Sequence, residues 1–365
     1  MMKFLLLVFL LINISFGADT KDINEVELKK MISHMLLVGF DTLDINETQD
    51  IYKYIKEYEL GGVILFDKHY NNRALAKNIK NPIQLKKLTQ KLQNISPKKL
   101  IISVDQEGGK VARLKEKDGF LPTYSAWSIA KKHDDNYAQK IYTSLATELK
   151  EYGFNCDFAP VVDLALNKDN KVIFALQRSY GATTDDVVRN ANIFMKALRD
   201  NGVLSVLKHF PGHGSSLSDS HKGFVDISDT WNVKELEPYA KLIKMGNVQM
   251  IMTAHVFNRN LDELYPATLS YAINTKLLRD KMAYDGVIIS DDMQMKAISA
   301  HYSLDESVRL CINSGVDILL FANQLASQDT GELIESIYKQ VKNKAIPLSR
   351  IIESNKRIAK LLEEI

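Results

Sequence analysis

The sequence is poor in cysteine, which excludes the zinc and redox motifs that need closely spaced thiols. Its two cysteines, Cys156 and Cys311, lie in apolar surroundings typical of buried strands or helices. An exported protein could join them in a disulfide. The surroundings favour two inert thiols, and the disulfide stays open as the alternative.

The chain also lacks low-complexity segments and has no large excess of positive or negative charge. There are 17 glycines and 8 prolines among 365 residues, too few for a collagen-like or disordered chain. The 47 Lys and Arg residues nearly balance 45 Asp and Glu residues, and no basic cluster stands out, so nucleic acid is not an expected partner. The remaining class is a globular protein of one or two domains.

Only the N-terminus carries a long hydrophobic run. Residues 1–17 (MMKFLLLVFLLINISFG) place Lys3 before the apolar stretch 4–12 and end in small residues. This pattern predicts a cleaved signal peptide, a mature domain of residues 18–365 and a secreted or periplasmic location. An uncleaved membrane anchor is the alternative, but the run is shorter than the roughly 20 residues that a bilayer requires. We expect no stable membrane insertion after cleavage.

Short, nearly continuous apolar runs recur along the rest of the chain, as expected for strands buried on both faces of a parallel sheet. The eight runs are Leu36–Phe40, Gly61–Phe66, Leu100–Val104, Phe154–Ala159, Val203–Phe210, Met250–Val256, Gly286–Ser290 and Asp317–Phe321.

Amphipathic helices are predicted between these strands. Ile141, Leu145 and Leu149 recur every four residues, and a second stripe from Val187 to Leu198 has the same helical spacing. Eight strands alternating with helices predict a single α/β domain, a (β/α)₈ TIM barrel. An open doubly wound sheet is the alternative, although no GxGxxG motif follows the first strand.

Polar residues cluster where the predicted strands end, which is where barrel enzymes carry their reactive groups. Each of them alone could be a helix cap or a satisfied core residue, but several together indicate a site. These residues are Asp105, Asp157, Asp163, Lys208, His209, His255, Asp291 and Asp292.

The segment 208–221 (KHFPGHGSSLSDSH) is the densest of these ends and contains three of the eight histidines. Its glycines and proline predict a loop rather than a helix. A zinc site formed by His209, His213 and His221 is an alternative, but the spacing is unlike the HExxH type of zinc motif. Within an extended Asp219-Ser220-His221, the carboxylate could orient the imidazole for acid–base work. A solvated surface loop is the other interpretation.

Asp291 and Asp292 are adjacent at the end of the seventh run. Two neighbouring carboxylates cannot both enter one apolar pocket without a raised pKa. We therefore expect Asp291 to face the site and Asp292 to cap a helix that starts at Met293.

Five segments in order resemble the bacterial β-N-acetylglucosaminidases of glycoside hydrolase family 3. They are KHFPGHG with DSH (208–214 and 219–221), LLRDKMAYDGVIISD (277–291), VDQEGGKVAR (104–113), NCDFAPVVD (155–163) and PATLS (266–270). The resemblance covers about residues 31–322.

The resemblance implies specific roles. Asp291 would be the nucleophile, and His221 paired with Asp219 would be the general acid/base. Residues that would grip the sugar are Asp105, Arg113, Arg178, Lys208 and His209. Around Arg178 the chain departs from the family pattern, because the preceding residues 174–177 look altered or lengthened. Gln294 also stands where the family usually has a small residue.

A retaining exo-β-N-acetylglucosaminidase acting on peptidoglycan fragments is therefore expected, by double displacement. We expect a carbohydrate partner, a monomer, and no cofactor or metal. A family 3 β-glucosidase is the enzymatic alternative, though these usually take the acid/base from a second domain. A secreted muropeptide-binding protein is the non-catalytic alternative. Because an imidazole acid/base adds no negative charge, phosphorolysis, with phosphate as the acceptor, is a further hypothesis. Absence of sugar 1-phosphate at millimolar phosphate would exclude it.

Overall fold

The computed structural model of the chain describes residues 23–217 and 223–365. Its centre is a ring of parallel strands, and each strand lies inside one of the eight predicted runs. They are β1 (Leu36–Val38), β2 (Gly62–Ile64), β3 (Ile101–Val104), β4 (Cys156–Asp157), β5 (Leu204–Phe210), β6 (Met250–Thr253), β7 (Val287–Ile289) and β8 (Leu319–Phe321). Most are shorter than predicted, because the last residues of several runs leave the ladder and turn into loops.

The sheet closes on itself. The strands follow in the order β7-β6-β5-β4-β3-β2-β1-β8, and β1 pairs in parallel with both β2 and β8. A parallel bridge between Ile289 and Ile318 joins the two ends of this order. The (β/α)₈ barrel is confirmed, and the open doubly wound alternative is wrong.

Helices surround the strands and cover them from solvent. They are α1 (Glu25–His34), α2 (Asp50–Glu57), α3 (Pro82–Ile95), α4 (Ala126–Ala130), α5 (Asp135–Glu151), α6 (Thr184–Asp200), α7 (Glu237–Lys244), a π-helix (Ala272–Lys281), α8 (Lys296–Ser299), α9 (Leu304–Ser314), α10 (Thr330–Lys342) and α11 (Leu348–Leu362). Three short 3₁₀ turns occupy Glu116–Asp118, Val233–Leu236 and Ala267–Leu269.

Helices α5 and α6 contain the two predicted apolar stripes and pack against each other. The rings of Tyr142 and Phe194 stack between them with centroids 4.1 Å apart. Asp134 and Thr183 cap their N-termini by accepting backbone N–H groups. Local sequence therefore fixes where each helix begins, and burial of one stripe supplies most of its stability.

A buried ion cluster closes the bottom of the barrel, at the amino ends of the strands. Asp317 is fully buried and accepts from Arg279 at 2.5 Å, with Arg350 and Arg357 at 3.6 and 3.4 Å. Arg279 belongs to the 277–291 motif, whose other end carries Asp291. That motif therefore has a structural half at one end of β7 and a candidate catalytic residue at the other.

Cys156 and Cys311 are both buried free thiols. Burial raises the pKa of each thiol well above its usual range, so neither is a reactive thiolate. The prediction of two inert thiols is confirmed and the disulfide alternative is wrong. Within the described part of the chain, no helix has the length and apolar character to cross a bilayer.

Candidate active site

A cavity of about 370 Å³ opens at the carboxyl ends of the strands. Six predicted site residues from four different strand ends line it. They are Asp105, Arg113, Arg178, Lys208, His209 and Asp291. The parallel barrel brings them together because every strand delivers its last residue to the same end.

Two carboxylates and three cations form a continuous ion network along the cavity. Lys208 Nζ lies 2.8 Å from Asp105 Oδ1 and 2.8 Å from Glu107 Oε1, and its side chain is only 2% exposed. Arg113 Nη2 donates to the other oxygen of Asp105 at 3.1 Å. Arg178 binds Glu107 with two parallel hydrogen bonds of 2.8 and 2.7 Å. The fork geometry fixes the guanidinium plane beside the cavity.

This network keeps Asp105 and Lys208 charged despite their burial. Burial opposes ionisation of Asp105, but attraction to Lys208 and Arg113 outweighs it and holds the pKa of Asp105 well below its usual range. Burial likewise opposes the charge on Lys208, yet Asp105 and Glu107 raise its pKa. The cavity thus presents fixed ionic groups that can bind several sugar hydroxyls without rearranging.

Arg178 reaches the cavity despite the altered residues before it. Gln177 adopts a left-handed conformation, with φ of 58°, at the point where the chain turns toward Arg178. Ser125 donates to the Gln177 side chain at 3.0 Å and the Trp127 amide donates to its carbonyl at 3.3 Å. These contacts hold the 174–177 segment in place, and the departure from the family pattern does not displace Arg178.

Contact with Asp163 fixes the orientation of the His209 ring. Its Nδ1 lies 2.7 Å from Asp163 Oδ2, and its Nε2 lies 3.3 Å from Arg178 Nη2. Asp163 Oδ1 also accepts the His213 amide at 2.8 Å. Attraction to His209 overcomes the effect of burial and lowers the pKa of Asp163. An ionised Asp163 therefore fixes the tautomer and direction of the His209 ring.

His213 lines the cavity as a neutral imidazole. Burial and the nearby His209 lower its pKa to about 4. Its Nδ1 lies 2.6 Å from the Ser216 hydroxyl. The described residues contain no group of three or more His, Cys, Asp or Glu side chains arranged to hold a metal ion. The zinc alternative included His221, which is outside the described ranges.

Asp291 lies just beyond the end of β7 and lines the cavity, as predicted. The expected helix cap at Asp292 is wrong. Its Oδ1 accepts from the backbone of Gln294 and Ala322, both at 3.1 Å, and helix α8 starts only at Lys296. Asp292 joins the loops after β7 and β8, because its carboxylate accepts one backbone amide from each loop.

Gln294, the departure at the end of the nucleophile motif, also joins these loops. Its side chain exchanges hydrogen bonds with Asn323, at 2.9 Å to the side chain and 2.7 Å from the amide. His255 is another strand-end residue with a structural contact set: Thr268 at 2.7 Å and the Asp292 carbonyl at 2.9 Å. These hydrogen bonds explain the positions of Gln294 and His255 without a direct contact to substrate.

Asp157 supports the site from below as a neutral group. Burial raises its pKa to about 8, so it is largely protonated at neutral pH. It accepts from the Gln106 amide at 2.9 Å, and Gln106 in turn accepts from the amides of Arg113 and Leu114. This chain of contacts sets the turn that carries Arg113 into the cavity.

Asp219 and His221 fall in the segment 218–222, outside the described residues, so their predicted roles stay predictions. Glu107, the second carboxylate of the ion network, is absent from the residues predicted from the sequence. Its signal was present, since Glu107 follows Asp105 by two residues in the VDQEGGKVAR segment. Asp163 was noted as a strand-end residue, but its role as the orienter of His209 was not foreseen.

The family model described as Glycosyl hydrolase family 3 N terminal domain matches residues 25–361, nearly all of the described chain. The chain belongs to glycosyl hydrolase family 3. This confirms the resemblance drawn from the five sequence segments.

Relatives in the family are β-hexosaminidases. The chain is 33% identical over 337 residues to β-hexosaminidase A of Pseudoalteromonas piscicida and 32% identical over 270 residues to β-hexosaminidase of Tolumonas auensis. Among solved structures, a family 3 β-N-acetylglucosaminidase from Paenibacillus sp. str. FPU-7 superposes with a TM-score of 0.80 at 32% identity.

These matches cover most of this chain but differ in how much of the other protein they cover. The match to the Pseudoalteromonas protein covers 86% of this chain, that to the Tolumonas protein 73%, and that to the Paenibacillus structure 92%. The chain spans 54% of the Pseudoalteromonas protein, 77% of the Tolumonas protein and 62% of the Paenibacillus chain.

Proposed function

We propose that this family 3 protein is a retaining exo-β-N-acetylglucosaminidase that releases terminal GlcNAc from peptidoglycan fragments. The observation that carries the proposal is one cavity whose wall combines Asp291 with the Asp105–Lys208–Glu107–Arg178 network. The names of its relatives support the aminosugar specificity.

In the proposed reaction, Asp291 attacks the anomeric carbon and forms a covalent glycosyl-enzyme. His221, assisted by Asp219, protonates the leaving oxygen and then removes a proton from the attacking water. The ion network holds the sugar so that the nucleophile is aligned with the bond to be broken. Because the network is already assembled and buried, little reorganisation is needed when charge develops.

The activity assay that tests this proposal compares two aryl glycosides on the purified full chain. We expect release of 4-nitrophenol from 4-nitrophenyl β-GlcNAc and at least about 100-fold slower release from 4-nitrophenyl β-glucose. Faster turnover of the glucoside would favour the β-glucosidase alternative. Binding of muropeptides without release from either substrate would favour the non-catalytic alternative.

The mouth of the cavity supports a negatively charged aglycone. Lys68, Arg73 and Lys171 line it, outside the ion network, and Arg73 and Lys171 are exposed. The lining also contains four carboxylates, Asp67, Asp105, Asp291 and Asp292, but all four are buried or only partly exposed. Asp105 is paired within the network and Asp67 pairs with Lys115 at 2.5 Å. The exposed charges of the lining are therefore positive, which suits the lactyl or peptide carboxylate of a muramic acid residue.

Replacing both Arg73 and Lys171 with alanine is expected to raise KM about fivefold for GlcNAc-anhydroMurNAc, since each exposed charge pair contributes up to about 1 kcal/mol. The methyl ester of the same substrate lacks the charge and should show little change. Steady-state kinetics at low and high salt measures both, and the effect should shrink with salt. Lys168→Ala, on the same loop but outside the cavity lining, is the control. Equal effects on acid and ester would contradict the assignment.

We also propose that residues 1–17 direct export and are removed, which would place the protein with its substrate outside the cytoplasm. The N-terminal segment lies outside the described residues, and its sequence pattern alone supports the proposal. Mass spectrometry of the N-terminus of the protein recovered from its native host would test it.

A further inference from the structure

A buried carboxyl group outside the cavity lining braces the chain that follows β5. Glu235 lies in the 3₁₀ turn Val233–Leu236, and only 1% of it is exposed. Its Oε2 accepts the Gly214 amide at 2.8 Å. Among residues 23–217 and 223–365, its Oε1 has no well-directed hydrogen bond, although the Ser215 hydroxyl interacts with the carboxyl group.

The contact between this turn and the chain after β5 is tight. A Cβ atom on Gly212 would lie only 2.5 Å from the Glu235 Cβ and 2.7 Å from its Oε2. The residue before Gly212 is held by the same segment, because Trp231 Nε1 donates to the Pro211 carbonyl at 3.2 Å. The segment 231–235 therefore holds residues 211–214 by two hydrogen bonds and direct packing.

Asp163 holds the same stretch from the other side. Its Oδ1 accepts the His213 amide at 2.8 Å, while Glu235 accepts the next amide, that of Gly214. Two carboxyl groups from different loops thus bracket the residues that place His213 in the cavity wall. Asp163 is ionised because of its contact with His209, so a second negative charge on Glu235 would be repelled.

We propose that Glu235 is a positioning residue for the glycosidase reaction, and that it holds residues 211–214 and His213 in the active arrangement in its neutral form. The proposal rests on the proposed function, since activity is its main measurement. The titratable groups that interact with it are Asp163 and Tyr239, in addition to the Ser215 hydroxyl.

The predicted pH dependence has a defined sign. Burial raises the pKa of Glu235 to about 7, above its usual value near 4.5. A group with a folded-state pKa raised in this way stabilises the native arrangement at low pH, and the contribution is lost as pH rises through 7. Activity should therefore fall on the alkaline side as the carboxyl group ionises.

Glu235→Gln provides the test, because the amide keeps an oxygen acceptor for Gly214 but cannot ionise. A carboxyl group of pKa 7 is mostly protonated at about pH 6 and mostly ionised at about pH 8. The wild-type kcat should therefore fall over this range while that of Glu235→Gln does not, so the ratio of variant kcat to wild-type kcat should rise about tenfold. The KM for 4-nitrophenyl β-GlcNAc should change less than kcat. Glu237→Gln, an exposed residue of α7, is the matched control and should follow the wild-type profile.

A spectroscopic measurement on a folded, near-native protein keeps the proposal falsifiable if Glu235→Gln does not fold. The chain has two tryptophans, so Trp127→Phe leaves Trp231 as the single reporter beside Pro211. In Trp127→Phe alone, its fluorescence should change with a midpoint near pH 7, and this result does not require Glu235→Gln to fold. Where Glu235→Gln folds, adding it should abolish the change. A flat fluorescence profile, or an unchanged pH–activity profile in Glu235→Gln, would overturn the proposal. If the wild type shows no glycosidase activity, the proposed function fails and the fluorescence result still decides the role of Glu235.

Discussion

Replacing Asp291 with alanine is expected to reduce kcat for 4-nitrophenyl β-GlcNAc by about a thousandfold or more, with little change in folding stability. The reason is that the carboxylate at the end of β7 is the proposed nucleophile, and the ion network cannot attack the anomeric carbon in its place. The comparison of kcat with thermal unfolding of the same samples separates chemistry from folding.

Azide supplies the sharper part of this experiment. In Asp291→Ala, a small anion can enter the space left by the carboxylate and attack the same face of the sugar, so the product should be the α-glycosyl azide. The wild type should instead give a product of retained β configuration, which NMR of the anomeric proton reports. Asp292→Asn is the neighbouring control and should keep most activity, because its Oδ1 contacts two backbone amides. Equal losses in the two variants would assign Asp291 a structural role instead.

Replacing Lys208 with methionine is expected to lower the free energy of unfolding by about 3–5 kcal/mol at neutral pH and to abolish measurable activity. The ammonium lies 2.8 Å from both Asp105 and Glu107 and is almost fully buried. Removing it leaves Asp105 and Glu107 each with one arginine partner but takes away the ammonium that lies between the two carboxylates and offsets their mutual repulsion. Urea unfolding followed by circular dichroism measures the loss.

The pH dependence of this loss identifies its electrostatic origin. Contact with Lys208 lowers the pKa of Asp105 and of Glu107, so their stabilising contribution is present at neutral pH and decreases as pH falls through the folded-state values. Without Lys208, protonation becomes easier and relieves the repulsion. The difference between variant and wild type should therefore be smaller near pH 4 than at pH 7.

The surface pair of Lys196 and Asp200 offers a matched control for the same substitution. Their separation is 2.5 Å, yet both side chains are about half exposed. Lys196→Met should cost less than about 1 kcal/mol at either pH, because water screens the pair. If Lys208→Met were as stable as the wild type at neutral pH, the network would not carry the stabilisation assigned to it.

Much of the architecture could be predicted because its signals are local. Each buried strand is a short apolar run, and each of the helices α5 and α6 shows an apolar stripe and an N-terminal cap residue within its own segment. The order of alternating elements then favours a barrel, since right-handed crossovers leave few other closed arrangements. The residues at the strand ends follow directly, and six of the predicted site residues do share one cavity.

The partners of those residues could not be predicted in the same way. Lys208 and Asp105 are 103 positions apart, and Arg178 and Glu107 are 71 apart. Nothing in the local pattern around Glu107 distinguishes a surface carboxylate from a member of a buried network. The helix cap expected at Asp292 was wrong for a related reason: its carboxylate contacts Ala322 of the neighbouring β8 loop, 30 positions away.

The barrel, the family and the side chains that reach its carboxyl end could be predicted from the sequence, because periodicity and ordered motifs act over short stretches of chain. Which charges neutralise one another, and which carboxyl groups stay neutral, depends on contacts that form only when the chain folds. Asp105 and Asp157 are both aspartates at strand ends, yet ion pairing lowers the pKa of one and burial raises that of the other. Protonation depends on burial and on the nearest charges, and strands distant in sequence supply both.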